Sequence, residues 1–287
     1  MQSGPTSPHL DEEGPEGARS AGTPSPQLAD TQMADSKTEQ PTTSIVLRRS
    51  AVLNGLGGFL LLIALASGLD TALGLGDAFL IKALSAFGLV LAIMAVFLPL
   101  HWPHVRLGPA NQVTLLRGVL TALLAGLLGE VGTPEVAWTA LMLALAAEGL
   151  DGLDGHLARR WGWASPFGAR FDMEIDALLV AVLALLLWSL GKAGPWVLAA
   201  GLLRYLFVAA GYLWPMLRHP LPPSRRRQAI CVLQVLTLTL ALAPILPPVW
   251  SAVVAAVGLA LLCYSFAVDT LWLARQAGLT PPTGGSA

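Results

Sequence analysis

The chain has 287 residues, of which 54% are hydrophobic and only 12% are charged, and its formal net charge is −1. This composition excludes an ordinary soluble domain, and the pattern of charges is not that of a nucleic-acid-binding protein. The two cysteines, Cys231 and Cys263, lie inside apolar stretches. They are interpreted as small hydrophobic residues rather than as a disulfide framework or a metal site.

The first segment, residues 1–47, is rich in Pro, Ser, Gly and Thr and holds seven of the 18 acidic but only two of the 17 basic residues. Such a segment buries too little apolar surface to offset its chain entropy, so it is predicted to be a disordered tail. It also lacks the basic start and the continuous apolar core of a signal peptide. Residues 277–287 are predicted to form a flexible C-terminal tail.

Eight apolar runs lie between the two tails, and most approach the ~20 residues that a transmembrane helix needs. They cover about 51–69, 78–100, 113–131, 135–150, 173–191, 196–214, 229–246 and 249–272. The runs lack the alternation of barrel strands, and isolated strands cannot span lipid. The sequence therefore predicts an all-α, polytopic membrane helical bundle.

The basic residues indicate how this bundle is oriented. With the N-terminus in the cytoplasm, most arginines lie in cytoplasmic loops or at cytoplasmic helix ends, and the opposite side holds only Lys192, with Lys82 near that end of the second helix. Cytoplasmic loops of membrane proteins carry this excess of positive charge. Eight helices return the C-terminus to the same side, so both termini are expected to be cytoplasmic.

Four aspartates lie between the fourth and fifth runs, in the stretch D-G-L-D-G-H-L-A-R-R-W-G-W-A-S-P-F-G-A-R-F-D-M-E-I-D. Asp151 and Asp154 are three positions apart and Asp172 and Asp176 are four apart, so each pair shares one face of a helix. Two facing helices could aim all four carboxylates into one gap on the cytoplasmic side. That arrangement suits a pair of metal ions, or one ion with a general base. Ligands that are all oxygens favour Mg²⁺, Mn²⁺ or Ca²⁺ over zinc.

The residues around the aspartates point to a pyrophosphate-containing substrate. Gly152, Gly155 and Gly168 remove side-chain bulk and allow close approach of a substrate or a neighbouring helix. Arg159 follows the first aspartate pair, and a guanidinium there can bind phosphate through two hydrogen bonds. Glu174 lies about 200° around the helix from Asp172, which favours a packing role over metal ligation.

The spacing D-x-x-D-G-x-x-A-R-x(8)-G-x-x-x-D-x-x-x-D resembles the signature of the CDP-alcohol phosphatidyltransferases. The fixed positions of that signature are all matched, by Asp151, Asp154, Gly155, Ala158, Arg159, Gly168, Asp172 and Asp176. The resemblance implies a six-helix catalytic core over residues 106–276. Residues 48–105 would then add two transmembrane helices that the family core lacks.

The resemblance also implies an activity: an integral-membrane transferase that moves a phosphatidyl or phosphoryl-alcohol group from a CDP-linked donor to an acceptor hydroxyl and releases CMP. CDP-diacylglycerol is the favoured donor, in phospholipid biosynthesis at a bacterial inner membrane. The acceptor would be a small alcohol or a phosphorylated alcohol, and many relatives are homodimers.

The resemblance assigns roles within the signature as well. The four aspartates would hold Mg²⁺ or Mn²⁺, with two ions expected, and Asp176 would also be the general base that deprotonates the acceptor. Gly155, Ala158 and Arg159 would line the CDP site, with Gly168 beside them. Phosphoryl transfer needs chiefly positioning and charge neutralisation, which metal ions and arginine supply.

The third predicted helix opens with Asn111, Thr114 and Arg117. Their N-x-x-T-x-x-R pattern is similar to that of family members, where it contributes to the nucleotide pocket. The three residues lie toward one side of a helix, which favours a role in substrate binding. The alternative is that Asn111 is an ordinary N-cap and Arg117 extends to the membrane interface.

Two further sets of basic residues have two interpretations each. Arg204 lies inside the sixth run and would either help to hold a phosphorylated acceptor or pair with Glu148 or another buried acid. Arg225, with the two arginines that follow it, would either bind substrate or act as a topology signal at an anionic leaflet. His101 and His104 lie in a loop with Trp and Pro, which is interpreted as interfacial rather than as a metal site.

Two other functions are compatible with an aspartate cluster in a membrane. An intramembrane prenyltransferase also uses aspartates, Mg²⁺ and pyrophosphate, but it typically carries two separate aspartate-rich motifs, and only one cluster is present here. A divalent-cation transporter would use acidic residues along its pathway, but these four lie near one face with no acidic ladder across the bilayer.

Overall fold

The computed structural model describes the backbone of residues 26–101, 104, 106–130, 132–161 and 165–279. Side chains are described for 45–101, 104, 106–130, 132–152 and 165–278. Eight α-helices run through these residues: α1 (Pro26–Leu73), α2 (Asp77–Phe97), α3 (Pro109–Gly126), α4 (Pro134–Trp161), α5 (Pro166–Ser189), α6 (Ala199–Leu213), α7 (Arg225–Leu242) and α8 (Pro248–Leu279). No strand occurs in the described residues, so the predicted all-α bundle is confirmed.

Helix α1 begins at Pro26, inside the segment 1–47 that the sequence predicts to be disordered. Over residues 26–47 the structure therefore differs from the prediction. Leu28, Ala29, Met33 and Ala34 are good helix formers, and a proline in the first turn costs no helical hydrogen bond. Residues 1–25 lie outside the described residues. Contacts divide the chain after Ser44, and the bundle discussed below is the unit from residue 45 onward.

At the other end of the chain, α8 continues to Leu279, three residues into the predicted flexible tail. Residues 280–287 lie outside the described part of the chain. The domain boundaries drawn from the sequence stay predictions.

Four helical stretches are long and apolar enough to cross a membrane, and they are Ile45–Leu73, Asp77–His101, Pro195–Leu213 and Pro248–Gly278. The stretch 77–101 includes a short 3₁₀ helix, Leu98–His101, and the stretch 195–213 begins with another, Pro195–Leu198. Helices α3, α4 and α5 carry the charged residues of the candidate site, which lowers their hydropathy although they pack inside the bundle. These features are those of a polytopic membrane protein.

Helix α3 is the central helix of the bundle, since it packs against α2, α4 and α5. Two glycines let α2 approach it closely. A Cβ atom on Gly118 would lie 2.8 Å from Val90 Cγ1, and one on Gly126 would lie 2.7 Å from the Phe79 ring. Both glycines are therefore needed for the observed helix separation, because an added methyl group would collide with α2.

At the ends of the helices opposite the aspartates, two lysines contact groups of neighbouring helices and loops. Lys192, which follows α5, donates hydrogen bonds to the carbonyl oxygens of Ala241 (3.3 Å), Leu242 (3.2 Å) and Ala243 (2.5 Å) at the end of α7. The last carbonyls of a helix have no helical partner, so the lysine satisfies groups that would otherwise be unpaired. Burial lowers the pKa of Lys192. Lys82 of α2 pairs with Glu130 after α3 at 2.8 Å.

Candidate active site

Three carboxylates converge from two helices. Asp151 comes from α4 and Asp172 and Asp176 come from α5, and each offers an oxygen that lies within 4.8 Å of the other two. Asp172 and Asp176 share one face of α5, as their spacing predicts. Each side chain is about 40% exposed, at 41%, 37% and 44% respectively, so a solute can reach the group.

The guanidinium of Arg117, from α3, lies among these carboxylates. Its Nη1 atom is 2.8 Å from Asp151 Oδ1 and 2.5 Å from Asp172 Oδ1, and its Nη2 atom contacts Asp176 Oδ1. Its Nε atom donates to the Ala147 carbonyl oxygen at 3.3 Å. The side chain is only 2% exposed. One cation thus holds three like charges together that would otherwise repel one another.

The donor set fits a hard divalent cation. Carboxylate oxygens are the ligands that Mg²⁺ and Mn²⁺ prefer, and the oxygens here are close enough to share one ion. The three carboxylates and the guanidinium of Arg117 carry a summed formal charge of −2, opposite in sign to that of such an ion. The aspartate triad Asp151, Asp172 and Asp176 could therefore hold a metal.

For four residues of the sequence signature, the structure describes the backbone alone. The backbone of Asp154, Gly155, Ala158 and Arg159 belongs to α4, but their side chains lie outside the described residues. Their roles in metal and CDP binding stay predictions.

A cavity of about 300 Å³ opens beside the triad, bounded by residues of α3 to α8. Its wall includes Arg117, Asp151 and Asp176 at the polar side. Most of the remaining wall is aliphatic or aromatic, for example Leu179 and Phe266. The charged cluster therefore adjoins a space that can accept an apolar group.

Comparison with known proteins places this site in a family. Residues 107–265 match the family model of the CDP-alcohol phosphatidyltransferases, which covers more than half of the chain. The chain belongs to the CDP-alcohol phosphatidyltransferase family. The matched region starts before α3 and ends within α8, so α1 and α2 lie outside it.

A relative from Cereibacter sphaeroides is named CDP-diacylglycerol–glycerol-3-phosphate 3-phosphatidyltransferase. It is 31% identical to the chain over 88 residues, which amount to 31% of this chain and 40% of the relative. The chain therefore matches less than half the length of that relative. No solved structure matches the chain.

The opening of α3 is buried, with Asn111, Thr114 and Arg117 each at most 2% exposed, and its predicted role in nucleotide binding stays a prediction. Helix α3 begins at Pro109 and its N-cap is Gly108, so Asn111 is not an N-cap. Arg117 is buried among carboxylates, so the alternative of an interfacial arginine is also wrong. A Cβ atom on Gly168 would lie 2.8 Å from Asn111 Oδ1, which shows that this glycine brings the start of α5 against Asn111.

Arg204 lies on the cavity wall and forms an ion pair. Its Nη2 atom is 2.8 Å from Glu174 Oε1, and its Nη1 atom donates to the Met173 carbonyl oxygen at 3.1 Å. The Tyr205 hydroxyl donates to Glu174 Oε2 at 3.0 Å. The acid that pairs with Arg204 is thus Glu174, which links α5 to α6, and Glu148 has a different partner. Substrate binding by Arg204 stays a prediction.

The basic start of α7 contacts α8. Arg226 donates to the Ser265 carbonyl oxygen at 3.1 Å and pairs with Asp269, and Arg227 Nη1 lies 3.7 Å from Asp269 Oδ2. Arg225 is exposed and does not line the cavity. Two of the three arginines therefore hold α7 and α8 together, and the predicted role of Arg225 in substrate binding is untested.

Two polar side chains inside the cavity were not identified from the sequence as substrate-contacting candidates. Glu148 accepts a hydrogen bond from Thr239 through Oε1, and its Oε2 atom is among the buried side-chain atoms without a partner in the described residues. Gln234, only 2% exposed, has neither amide atom paired. The sequence does not distinguish Gln234 from Gln228 of the same helix, since only the fold brings Gln234 to the cavity.

The side chain of His101 is fully buried within the protein, and the interfacial position of its loop stays a prediction. The ring lies 5.0 Å from both the His104 and the Phe167 rings, and its nitrogens bond to Ser165 and to the Arg106 carbonyl. Sequence reasoning missed this contact because it joins positions 64 residues apart.

Proposed function

We propose that this chain is an integral-membrane phosphotransferase that moves a phosphatidyl group from a CDP-linked donor to an acceptor hydroxyl and releases CMP. The observation that carries the proposal is the convergence of Asp151, Asp172 and Asp176 beside an apolar cavity, in a chain of this family. The same cluster at the end of an apolar space suits a substrate with a charged head and a lipid body.

CDP-diacylglycerol is the donor that this arrangement favours. An apolar cavity wall stabilises acyl chains, while the pyrophosphate must lie where its charge can be compensated. The relative from Cereibacter sphaeroides is named for the same donor, which supports the choice.

The reaction breaks one bond and forms another at the same phosphorus. The acceptor oxygen attacks the phosphorus that carries the lipid, the pyrophosphate bond to CMP breaks, and CMP leaves. We assign the proton of the acceptor hydroxyl to the carboxylate of Asp176, which lines the cavity.

The other groups bind and orient the substrates. A divalent cation on the aspartates, Mg²⁺ or Mn²⁺, would supply the positive charge that neutralises the pyrophosphate oxygens. Arg117 keeps the three carboxylates close together, and Arg159 would bind phosphate. Positioning of the reactants and neutralisation of their charge lower the barrier to phosphoryl transfer.

We propose a small phosphorylated alcohol as the acceptor. Arg204 lies on the cavity wall, and its Glu174 partner holds the guanidinium in place. The name of the relative specifies glycerol 3-phosphate, which belongs to the same chemical class. We further propose that the chain lies in a bacterial inner membrane as a homodimer, with the site and both termini in the cytoplasm.

The proposal is tested by CMP release from the purified chain with CDP-diacylglycerol, Mg²⁺ or Mn²⁺, and a panel of acceptors. The panel contains glycerol 3-phosphate, inositol phosphate, free inositol and serine. CMP release that requires both the cation and one acceptor supports the reaction and identifies the product. Folded protein that neither releases CMP nor binds CDP-diacylglycerol would refute the proposal.

A further inference from the structure

A histidine outside the family match contacts the helix that carries two of the aspartates. His101 ends the 3₁₀ helix that follows α2, six positions before the matched region begins at residue 107. Its side chain is fully buried, and its Nδ1 atom lies 2.9 Å from Ser165 Oγ, at the start of α5. The segment that precedes the family match thus includes a residue that contacts the start of α5.

The hydrogen-bond partners assign the direction of each bond. His101 Nε2 lies 2.9 Å from the Arg106 carbonyl oxygen, which can only accept, so this nitrogen carries the ring proton. Nδ1 then accepts from the Ser165 hydroxyl. Ser165 Oγ in turn accepts from the Gly168 amide at 3.1 Å, which makes Ser165 the N-cap of α5. The histidine therefore orients the hydroxyl that caps this helix.

Packing reinforces the same contact. The Phe167 ring lies edge-on to the imidazole, at 5.0 Å and 65°, and stacks on the Phe171 ring at 5.5 Å. Phe171 is fully buried and immediately precedes Asp172 in α5. The contacts of Phe167 with His101 and with Phe171 thus limit how the first two turns of α5, which lead to Asp172, can rotate about the helix axis.

The first helix contacts the start of α3 in a similar way. The Leu107 amide donates to Ser50 Oγ at 3.1 Å, and Gln112 Nε2 donates to Asn54 Oδ1 at 2.9 Å. Ser50 and Asn54 both belong to α1. The added helices therefore contact the starts of both α3 and α5.

We propose that His101 is a positioning residue: through Ser165 it sets the start of α5, so that Asp172 and Asp176 meet Asp151. The added segment α1–α2 is then part of the active-site framework in this chain. The inference rests on the proposed function for any effect on catalysis. Its effect on cation binding can be measured separately, because the position of the carboxylates also determines how tightly they bind a cation.

Four variants separate positioning from general packing. His101→Phe keeps a ring against Phe167 but removes both hydrogen bonds. His101→Asn retains an oxygen that can accept from Ser165. Ser165→Ala removes the partner. His104→Phe is the matched control, because it makes the same change in the neighbouring ring.

Mn²⁺ affinity of the purified full-length chain, followed by electron paramagnetic resonance of the free ion, is the primary measurement. We expect His101→Phe and Ser165→Ala each to weaken Mn²⁺ binding about tenfold, a typical effect of losing a group that orients metal ligands. The double variant should bind no more weakly than either single variant, since both remove one interaction. His101→Asn should recover most of the affinity, and His104→Phe should bind like the unaltered chain.

Three results would overturn the inference: wild-type affinity in His101→Phe, equal losses in His101→Asn and His101→Phe, or additive losses in the double variant. If His101→Phe does not fold, Ser165→Ala and His101→Asn still decide between the outcomes. The measurement needs neither donor nor acceptor, so a failure of CMP release in the unaltered chain would count against the proposed function alone.

Discussion

At the residue scale, Arg117 dominates the electrostatics of the site. Its buried guanidinium contacts Asp151, Asp172 and Asp176, whose carboxylates are about 40% exposed. Burial of one partner strengthens the interaction, while the exposure of the others screens it. Arg117 therefore stabilises the fold around the site and keeps the three carboxylates close to one another.

We expect Arg117→Met to lower the free energy of unfolding by about 1–3 kcal/mol in metal-free buffer, because three carboxylates lose their cation. Mg²⁺ should raise the melting temperature of this variant more than that of the unaltered chain, since bound cation then replaces the missing charge. Thermal unfolding with EDTA and with Mg²⁺ measures both effects. Arg204→Met is the control, because it removes the ion pair of a single acid, Glu174, outside the aspartate triad. The loss of stability in this variant should not depend on Mg²⁺. An equal Mg²⁺ shift in Arg117→Met and the unaltered chain would contradict this account.

Gly168 tests how closely the site must be packed. In Gly168→Ala the new Cβ would lie 2.8 Å from Asn111 Oδ1, so either Asn111 or the start of α5 must move. A displacement of this kind near reacting groups should reduce kcat about tenfold. Gly149→Ala, in α4, is the matched control, because its Cβ would meet nothing within 4 Å. Steady-state CMP release compares the two, and equal rates would show that the packing does not matter.

At the element scale, the pairing of α2 with α3 connects the added helices to the family core. Gly118 follows Arg117 directly and lies against Val90 of α2. The position of α2 is thus coupled to the helix that carries the central arginine.

We expect Gly118→Ala to destabilise the chain by about 1–3 kcal/mol, because its Cβ would lie 2.8 Å from Val90 Cγ1. The double variant with Val90→Ala should recover most of that loss, since the smaller side chain makes room for the methyl group. Gly88→Ala, with nothing within 4 Å of its Cβ, is the control. Chemical or thermal unfolding provides the measurement. Failure of the double variant to recover would exclude this contact as the cause.

The existence of the helices could be predicted well, and their ends less well. Each apolar run corresponds to one helix, because hydropathy over many residues reports burial in lipid or protein. The fourth run ends before Asp151, yet α4 continues to Trp161, since the charged signature that follows remains helical. The third run begins at about residue 113, whereas α3 begins at Pro109, where a proline in the first turn favours the start of a helix.

The candidate site was predictable only where its geometry is local. The spacing of Asp172 and Asp176 places both on one face of α5 from helical periodicity alone. The position of Arg117 among the aspartates depends on how α3 packs between its neighbours, and it joins residues 55 and 59 positions apart. The same holds for His101 and Ser165, because short-range patterns carry no information on which helices meet.

At the scale of the whole molecule, the excess of arginine on one side predicts the orientation in the membrane. The loop 219–224 between α6 and α7 should be cytoplasmic, and the connection between α3 and α4 should lie on the opposite side.

Single cysteines test this orientation, in a background with Cys231→Ala and Cys263→Ala. Pro220→Cys should react with a membrane-impermeant maleimide only after the cells are opened, whereas Gly132→Cys should react in intact cells. Both positions are exposed, and a Cβ on Gly132 meets nothing within 4 Å. The reverse labelling pattern would show that the orientation is opposite to the predicted one. Labelling of both positions from one side would contradict the three predicted spans, α4 to α6, between them.

The central claim, that the aspartate triad catalyses transfer from a CDP-linked donor, is tested most directly by CMP release from Asp176→Asn. The substitution keeps the size of the side chain and removes the carboxylate that would take the acceptor proton, so kcat should fall by at least about 100-fold. Asp70→Asn, an exposed aspartate of α1, is the matched control and should retain full activity. Loss in Asp176→Asn alone, in protein that still melts cooperatively, is the predicted result. Equal CMP release from the two variants would contradict the account.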